Sequence, residues 1–121
     1  MKIVRALLKP LILGLDRLTA PNPPVRDAQS QAALDSRTRN LVLYHLEACP
    51  FCVKVRRQIR RQGLKIAMKD IAREAEAGKE LVQGGKLDQV PCLRIDRGSR
   101  VEWLYESDAI NGYLKTNFDQ G

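Results

Sequence analysis

Cys49 and Cys52, in the run Cys49-Pro50-Phe51-Cys52, are the residues of this chain best suited to covalent chemistry. The thiolate is the nucleophilic form of cysteine, and positive potential around the sulfur is what forms it at neutral pH. Pro50 suits the first position of a helix, where its missing N–H would have no partner anyway. Cys49 then becomes the helix cap, its sulfur facing open N–H groups and the positive end of the macrodipole, which lowers its pKa below the usual value of about 8.5. Cys52, one turn further on, shares an apolar face with Val55 and Ile59, so it is expected to stay a thiol until it resolves a mixed disulfide on Cys49. The same cysteines have a structural reading, in which Cys92 and His45 complete a Cys₃His zinc set. Against it, the chain lacks a second clustered pair, and a proline inside a zinc knuckle is unusual. Otherwise Cys92 is a small buried apolar residue and His45 a hydrogen-bonded residue closing an apolar strand.

A cysteine at a helix cap needs a strand to deliver it. Leu41-Val42-Leu43-Tyr44-His45 is an apolar run of the kind buried on both faces of a sheet. The helix after Pro50 should stop at Gly63. Leu64–Ile71 alternates as a second strand, parallel to the first, and Arg73–Gln83 reads as a helix closed by Gly84-Gly85. Gln89–Ile95 and Arg100–Tyr105 form an antiparallel hairpin about the turn Asp96-Arg97-Gly98-Ser99. Ser107 caps a last helix whose stripe is Ile110, Tyr113, Leu114 and Phe118. The order is β-α-β-α-β-β-α. Pro91 within the third strand needs a reason, and a cis Val90-Pro91 bond would present the Val90 backbone as an edge for an extended peptide.

The chain has 121 residues, enough for one compact domain but too few for two. Its 44% hydrophobic and 29% charged residues exclude wholesale disorder and a polytopic membrane protein. With three cysteines, an odd number, it does not read as a secreted disulfide scaffold, and a reducing compartment fits better. Of the formal net charge of +7, residues 1–40 carry +4, from seven basic and three acidic groups. Lys54, Arg56, Arg57, Arg60 and Arg61 put like charges at i, i+4 along the first helix, either as a solvated face or as a surface that steers anions. The aromatics form no stacking pattern around these arginines, which excludes nucleic acid.

Cys49-Pro50-Phe51-Cys52 after a strand, Val90-Pro91 well downstream, and Glu106-Ser107-Asp108-Ala109-Ile110 at the last helix start together resemble the glutaredoxins. The likeness is to the type similar to the N-terminal domain of glutathione transferases, and it covers about residues 40–118. It implies a thioredoxin-like α/β fold, a mixed four-stranded sheet and a cis Pro91, with Cys49 as the attacking and Cys52 as the resolving cysteine. Phe51, Val90, Pro91, Glu106 and Ser107 become the glutathione site: the Val90 backbone pairs with the cysteinyl part, and Glu106 and Ser107 hold the γ-glutamyl end. A helix N-terminus suits that α-carboxylate, and an acid suits its ammonium.

The activity implied is glutathione-dependent thiol–disulfide exchange on disulfides or protein–glutathione mixed disulfides, with glutathione as co-substrate and no metal. The expected protein is a cytoplasmic monomer whose partners are glutathione and such protein clients. Two departures matter. Many glutaredoxins carry a cation three residues before the first cysteine, where this chain has Leu46, so the glycyl carboxylate needs another, Lys54 or Lys86. The sequence also stops at Gly121, short of the helical domain a glutathione transferase uses for its electrophile, so conjugation is not expected. The rival readings are a module that binds glutathione or a partner without turnover, and a carrier sharing an iron–sulfur cluster between two protomers, against which Pro50 argues.

Residues 1–39 lie outside the resemblance and read as an amphipathic arm with a Pro-rich linker at Pro21-Asn22-Pro23-Pro24 and Val25–Asn40; residues 119–121 read as a tail. In the arm, Leu7, Leu8, Leu11, Leu15 and Leu18 fall at helical spacing among Lys2, Arg5, Lys9 and Arg17. Arg5, Lys9 and Pro10 interrupt it too often for a secretory signal. If the arm lies on a membrane, each basic residue near the surface contributes about 1 kcal/mol. The expected outcome of a flotation assay is weak, salt-sensitive binding to anionic vesicles and none to neutral ones, with thiol chemistry intact once residues 1–39 are deleted. Equal flotation of the full-length and truncated proteins on anionic vesicles would leave the arm as packing or tail.

Overall fold

The structure is a computed structural model, which describes residues 21–118. The amphipathic stretch 1–20 and the tail 119–121 lie outside the described residues. Helix α1 spans Ala28–Arg37, strand β1 Leu41–His45, α2 Pro50–Gln62, β2 Ala67–Asp70, α3 Ala75–Gly85, β3 Cys92–Asp96, β4 Val101–Tyr105 and α4 Ser107–Phe118. The strands form one four-stranded sheet in the order β2-β1-β3-β4. β2 runs parallel to β1, while β3 is antiparallel to both β1 and β4. The expected mixed α/β sheet with its parallel unit and its hairpin is the one observed.

The two faces of the sheet bury separate clusters. On one face Leu41, Leu43, Leu93 and Ile95 meet Leu34 of α1, Val55 and Ile59 of α2, and Ile110, Leu114 and Phe118 of α4. On the other, Tyr44 and Cys92 pack with Ala77 and Leu81 of α3, flanked by Val42, Val90, Trp103 and Tyr105. β1 contributes to both, which is why its sequence is apolar throughout rather than alternating.

Several local expectations change. The stretch 25–40 is not simply a linker, because residues 28–37 form α1, capped by the Asp27 carboxylate, which accepts from Ser30 N at 2.7 Å. It carries no apolar stripe and docks through a single buried leucine, Leu34, helped by polar clamps. Arg26 Nη2 donates to Gln62 O at 2.6 Å and Gln31 Nε2 to Gly63 O at 3.1 Å, satisfying carbonyls that the end of α2 leaves open. Thr38 Oγ1 donates to Lys65 O at 2.8 Å, and Arg37 donates to Asn117 O at 2.6 Å. Deleting residues 1–39 would therefore remove part of the core, so the cut expected to leave the chemistry intact passes through packed structure.

The second strand is confined to Ala67–Asp70, and the third begins at Cys92, with Pro91 just outside the ladder because it has no N–H to give. The turn between β3 and β4 sits one residue later than expected, closed by Arg97 N donating to Arg100 O at 2.8 Å. Gly84 and Gly85 do not stop α3: they belong to it, and Lys86, at φ 73°, is the left-handed cap. Their role is close approach, since a Cβ at Gly84 would overlap the Trp103 ring and one at Gly85 the Tyr105 hydroxyl. At Gly63, by contrast, the stop is as expected, with φ 65° in the left-handed region.

Alanine in place of helical glycine ordinarily stabilises, by about 1 kcal/mol. Gly84→Ala is expected to reverse that sign and to cost about 1–3 kcal/mol through overpacking against Trp103, read as a lower urea midpoint. An unchanged or higher midpoint would show that the ring moves aside at no cost.

Candidate functional site

The strand register assembles the site. Tyr44 pairs with Cys92, and Cys92 in turn with Tyr105, so the residues just beyond them emerge at one end of the sheet. Those residues are Leu46 to Cys49, Val90-Pro91 and Glu106-Ser107, the three segments the sequence singled out. The Val90-Pro91 bond is cis, as expected, and Pro91 is buried.

Cys49 holds the N-cap position of α2 with extended backbone, φ −73° and ψ 122°, but its side chain makes no capping hydrogen bond to the helix N–H groups; Pro50 follows in the first turn, and Cys49 O accepts from Val53 N at 2.9 Å. Cys49 is half-buried while Phe51 beside it is 63% exposed, an apolar ring left at the rim of the site. Cys52 is fully buried, and Leu46 N donates to its sulfur at 3.4 Å. A hydrogen bond with Cys49, and then burial, raise the Cys52 pKa far above the ordinary thiol value. A bond that raises a pKa favours the protonated form, so Cys52 keeps its proton and donates it towards Cys49. All three cysteines are thiols, none in a disulfide.

One feature escaped the sequence. Arg56, expected only as part of a basic face, turns back under the loop before Cys49: Nη1 meets Leu46 O and His45 Nδ1, each at 3.1 Å, and Nη2 donates to Glu47 O at 2.5 Å. Since a guanidinium only donates, His45 Nδ1 is the acceptor there. Burial first, and then Arg56, hold the His45 imidazole below its usual pKa. The signal was its position four residues after Cys52, which puts Arg56 one helical turn along from the buried thiol. Arg73 adds a second tie to the loop, pairing with Glu47 at 2.9 Å.

Around the last helix, Ile110 N donates to Glu106 O at 3.0 Å, which puts Glu106, not Ser107, in the capping place. Ser107 is the first residue of α4 and is buried. Glu106 has φ 75°, a left-handed backbone uncommon outside glycine, with its carboxylate exposed and approached by Gln89 Nε2 at 3.5 Å. Of the two cations expected to stand in at Leu46, Lys54 pairs with Asp108 and Lys86 donates to Gln83 O at 2.8 Å.

The zinc reading is not supported by the geometry. Cys92 packs with Tyr44 on the α3 face of the sheet, whereas α2 packs on the other. Among the described residues no group of three or more His, Cys, Asp or Glu side chains comes together to hold a metal, and no helix is long and apolar enough to cross a membrane.

Sheet order and helix placement define an α/β thioredoxin-like fold with a cysteine pair at the first helix's N-terminus. Residues 41–99 match the family model of the glutaredoxins. No curated protein matches the chain. Among solved structures it is similar to a wheat glutaredoxin, at 18% identity and TM-score 0.50, with 77% of this chain and 88% of that one covered. A Bombyx mori glutathione transferase is 24% identical with TM-score 0.55, covering 69% of this chain and 38% of the other. The maleylacetoacetate isomerase of Anaeromyxobacter dehalogenans, solved with glutathione in its active site, is 22% identical with TM-score 0.53, at 67% and 38%. The chain thus spans well under half the length of the isomerase and the transferase. At these identities the likeness speaks for the fold.

Burial pushes the Cys92 thiol up to about 12, and burial followed by the Glu80 hydrogen bond does the same for the Tyr44 phenol. A group whose pKa is raised by folding stabilises fully below its unfolded value and loses that contribution as pH climbs through the folded one. Stability is therefore expected to be flat for these groups up to about pH 9 and to fall between there and about pH 12. Iodoacetamide at pH 8 should label Cys49 in the native protein, and Cys52 and Cys92 only after urea. Native labelling of Cys92 at that pH would contradict the assignment.

Proposed function

We propose that this protein is a glutathione-dependent thiol–disulfide oxidoreductase acting through Cys49 and Cys52. The observation that carries this reading is a half-buried cysteine at the cap of α2 with a fully buried second cysteine hydrogen-bonded to it. The helix N-terminus and the donated Cys52 proton both stabilise negative charge on the Cys49 sulfur.

The Cys49 thiolate attacks the glutathione sulfur of a protein–glutathione mixed disulfide. A bond forms between Cys49 and glutathione, the old S–S bond breaks, and the client leaves as a thiolate that takes a proton from water. Once Cys49 is in that mixed disulfide it no longer carries the charge that held the Cys52 proton, so the Cys52 pKa falls. The nearby Arg56 charge favours its thiolate. Cys52 can then attack Cys49, releasing glutathione and leaving a Cys49–Cys52 disulfide that two further glutathione molecules reduce, themselves becoming oxidised glutathione. Alternatively a second glutathione attacks the bound one, and oxidised glutathione leaves directly.

In this reading the tripeptide lies across the end of the sheet. Val90, beside Pro91, pairs its backbone with the cysteinyl part, Glu106 and Ser107 meet the γ-glutamyl ammonium and carboxylate at the start of α4, and Phe51 borders the cysteine. A reducing compartment such as the cytoplasm, rich in glutathione, suits thiols that must return to the reduced state.

With a glutathionylated peptide and glutathione as reductant, Cys49→Ser is expected to abolish turnover. Cys52→Ser should retain a substantial part of it, because glutathione can resolve the intermediate. Turnover persisting in Cys49→Ser would remove the reading, and loss in Cys52→Ser with Cys49 still alkylable would restrict the protein to the two-cysteine route.

A further inference from the structure

We propose that the groove between α2 and α4 receives an acidic stretch of the client polypeptide next to its reactive cysteine, which makes acidic glutathionylated segments the preferred substrates. This rests on the reading of Cys49 as the attacking thiol and specifies what is delivered to it.

The two helices run side by side, tied by the Lys54–Asp108 ion pair near their starts and by Gln62 Nε2 donating to Leu114 O at 3.0 Å further along. Along the two helices runs an open groove of about 600 Å³, with that ion pair among its lining. It begins at Pro50, the residue after Cys49, and extends to Arg61 and Lys115. Four cations line it, Lys54, Arg57, Arg61 and Lys115, against the single carboxylate of Asp108, which Lys54 already neutralises. Arg61 donates to a neutral oxygen, Gln58 Oε1 at 3.1 Å, and among the described residues neither Arg61 nor Lys115 has an acidic partner.

Charge and shape together select the occupant. Excess positive charge in a concave site concentrates anions and speeds their arrival. A flat bilayer cannot reach between two helices, whereas an extended chain can. From Pro50 to Arg61 the helix advances about 16 Å at 1.5 Å per residue, which an extended peptide covers in about five residues at 3.3 Å each. Acidic residues within about five positions of the client cysteine would thus sit against Arg61 and Lys115 while the glutathione sulfur bonded to that cysteine lies at Cys49.

The test compares three glutathionylated peptides of equal length, with acidic, neutral or basic residues within five positions of the cysteine, alongside the small mixed disulfide of glutathione and mercaptoethanol. For the unaltered protein at low salt, kcat/KM is expected to be about tenfold or more higher for the acidic than for the basic peptide. The difference should vanish in molar salt, where the screening length is about 3 Å. The double variant Arg61→Gln, Lys115→Gln should bring the acidic peptide down to the neutral one and leave the small disulfide unchanged. Equal rates for all three peptides on the unaltered protein, or a preference that survives the double variant, would overturn the proposal. So would loss of both the preference and small-disulfide turnover in the variant, which would place these residues in the chemistry itself. Binding to anionic vesicles that the variant abolishes, with no peptide preference, would give the surface to a membrane instead. Absence of turnover on every substrate, the small disulfide included, would strike first at the oxidoreductase reading.

Discussion

The position of the α2 N-terminus governs what Cys49 can be, because a helix end influences a sulfur only within its first turn. The structure fixes α2 at three places along its length. At its start, Arg56 reaches back to the carbonyls of Leu46 and Glu47, so the helix holds the loop that leads into its own cap. At its finish, Arg26 and Gln31 reach the carbonyls of Gln62 and Gly63, which would otherwise face solvent or stay unsatisfied. Between them, buried Gln58 and Gln62 bond to each other and on to Leu114 O, so the α2–α4 interface is polar yet satisfied. A slide of α2 along its axis would break all of these contacts, whereas an interface of apolar side chains alone would tolerate one more readily.

The sheet separates the chain's thiols by face. Alternation along β3 sends Cys92 and the preceding Val90 to the α3 side and Leu93 to the side of α2 and α4. Cys92 therefore lies near the end of the sheet that leads to Cys49, yet on the face turned away from α2. Among Tyr44, Leu81 and Ala77, burial raises its pKa, and a hydrogen bond with the Tyr105 hydroxyl opposes that rise without cancelling it. Two cysteines equally buried thus differ in consequence, because only Cys52 has a neighbouring sulfur that can take its proton.

What the sequence made legible is what one periodicity or one cap can report. β1, α2 with Pro50 and Gly63, the hairpin, and the apolar stripe of α4 were all readable from local pattern, as was the meeting of Cys49, Pro91 and Glu106 through resemblance. α1 was not, because its sequence Ala28–Arg37 contains a single leucine that reaches the core and no stripe to announce it. Its place is set by hydrogen bonds to α2, α4 and the segment before β2, contacts between residues far apart in the chain. The Gly84-Gly85 pair misled for a related reason: glycine signals a helix stop locally, while here it answers to aromatic rings from β4. In both cases a non-local contact decided.

The basic run on α2 shows why a charge count alone predicts little. Lys54, Arg56, Arg57, Arg60 and Arg61 repel one another at i, i+4 by a few tenths of a kcal/mol per pair. Four of them nonetheless have distinct and separately identifiable engagements. Lys54 meets Asp108 across the interhelical groove, Arg56 the loop before Cys49, Arg60 donates to Pro21 O at 2.7 Å, and Arg61 bonds to Gln58. Three of those four acceptors are neutral, so bonding there leaves the positive charge in place. The helix thereby gains structural anchors without losing its potential, and the field that results acts on Cys49 at one end and on whatever enters the groove along its side. Leu46 fits the same logic: with no cation of its own, the loop takes one from Arg56, and the charge near the thiols comes from the helix that begins between them.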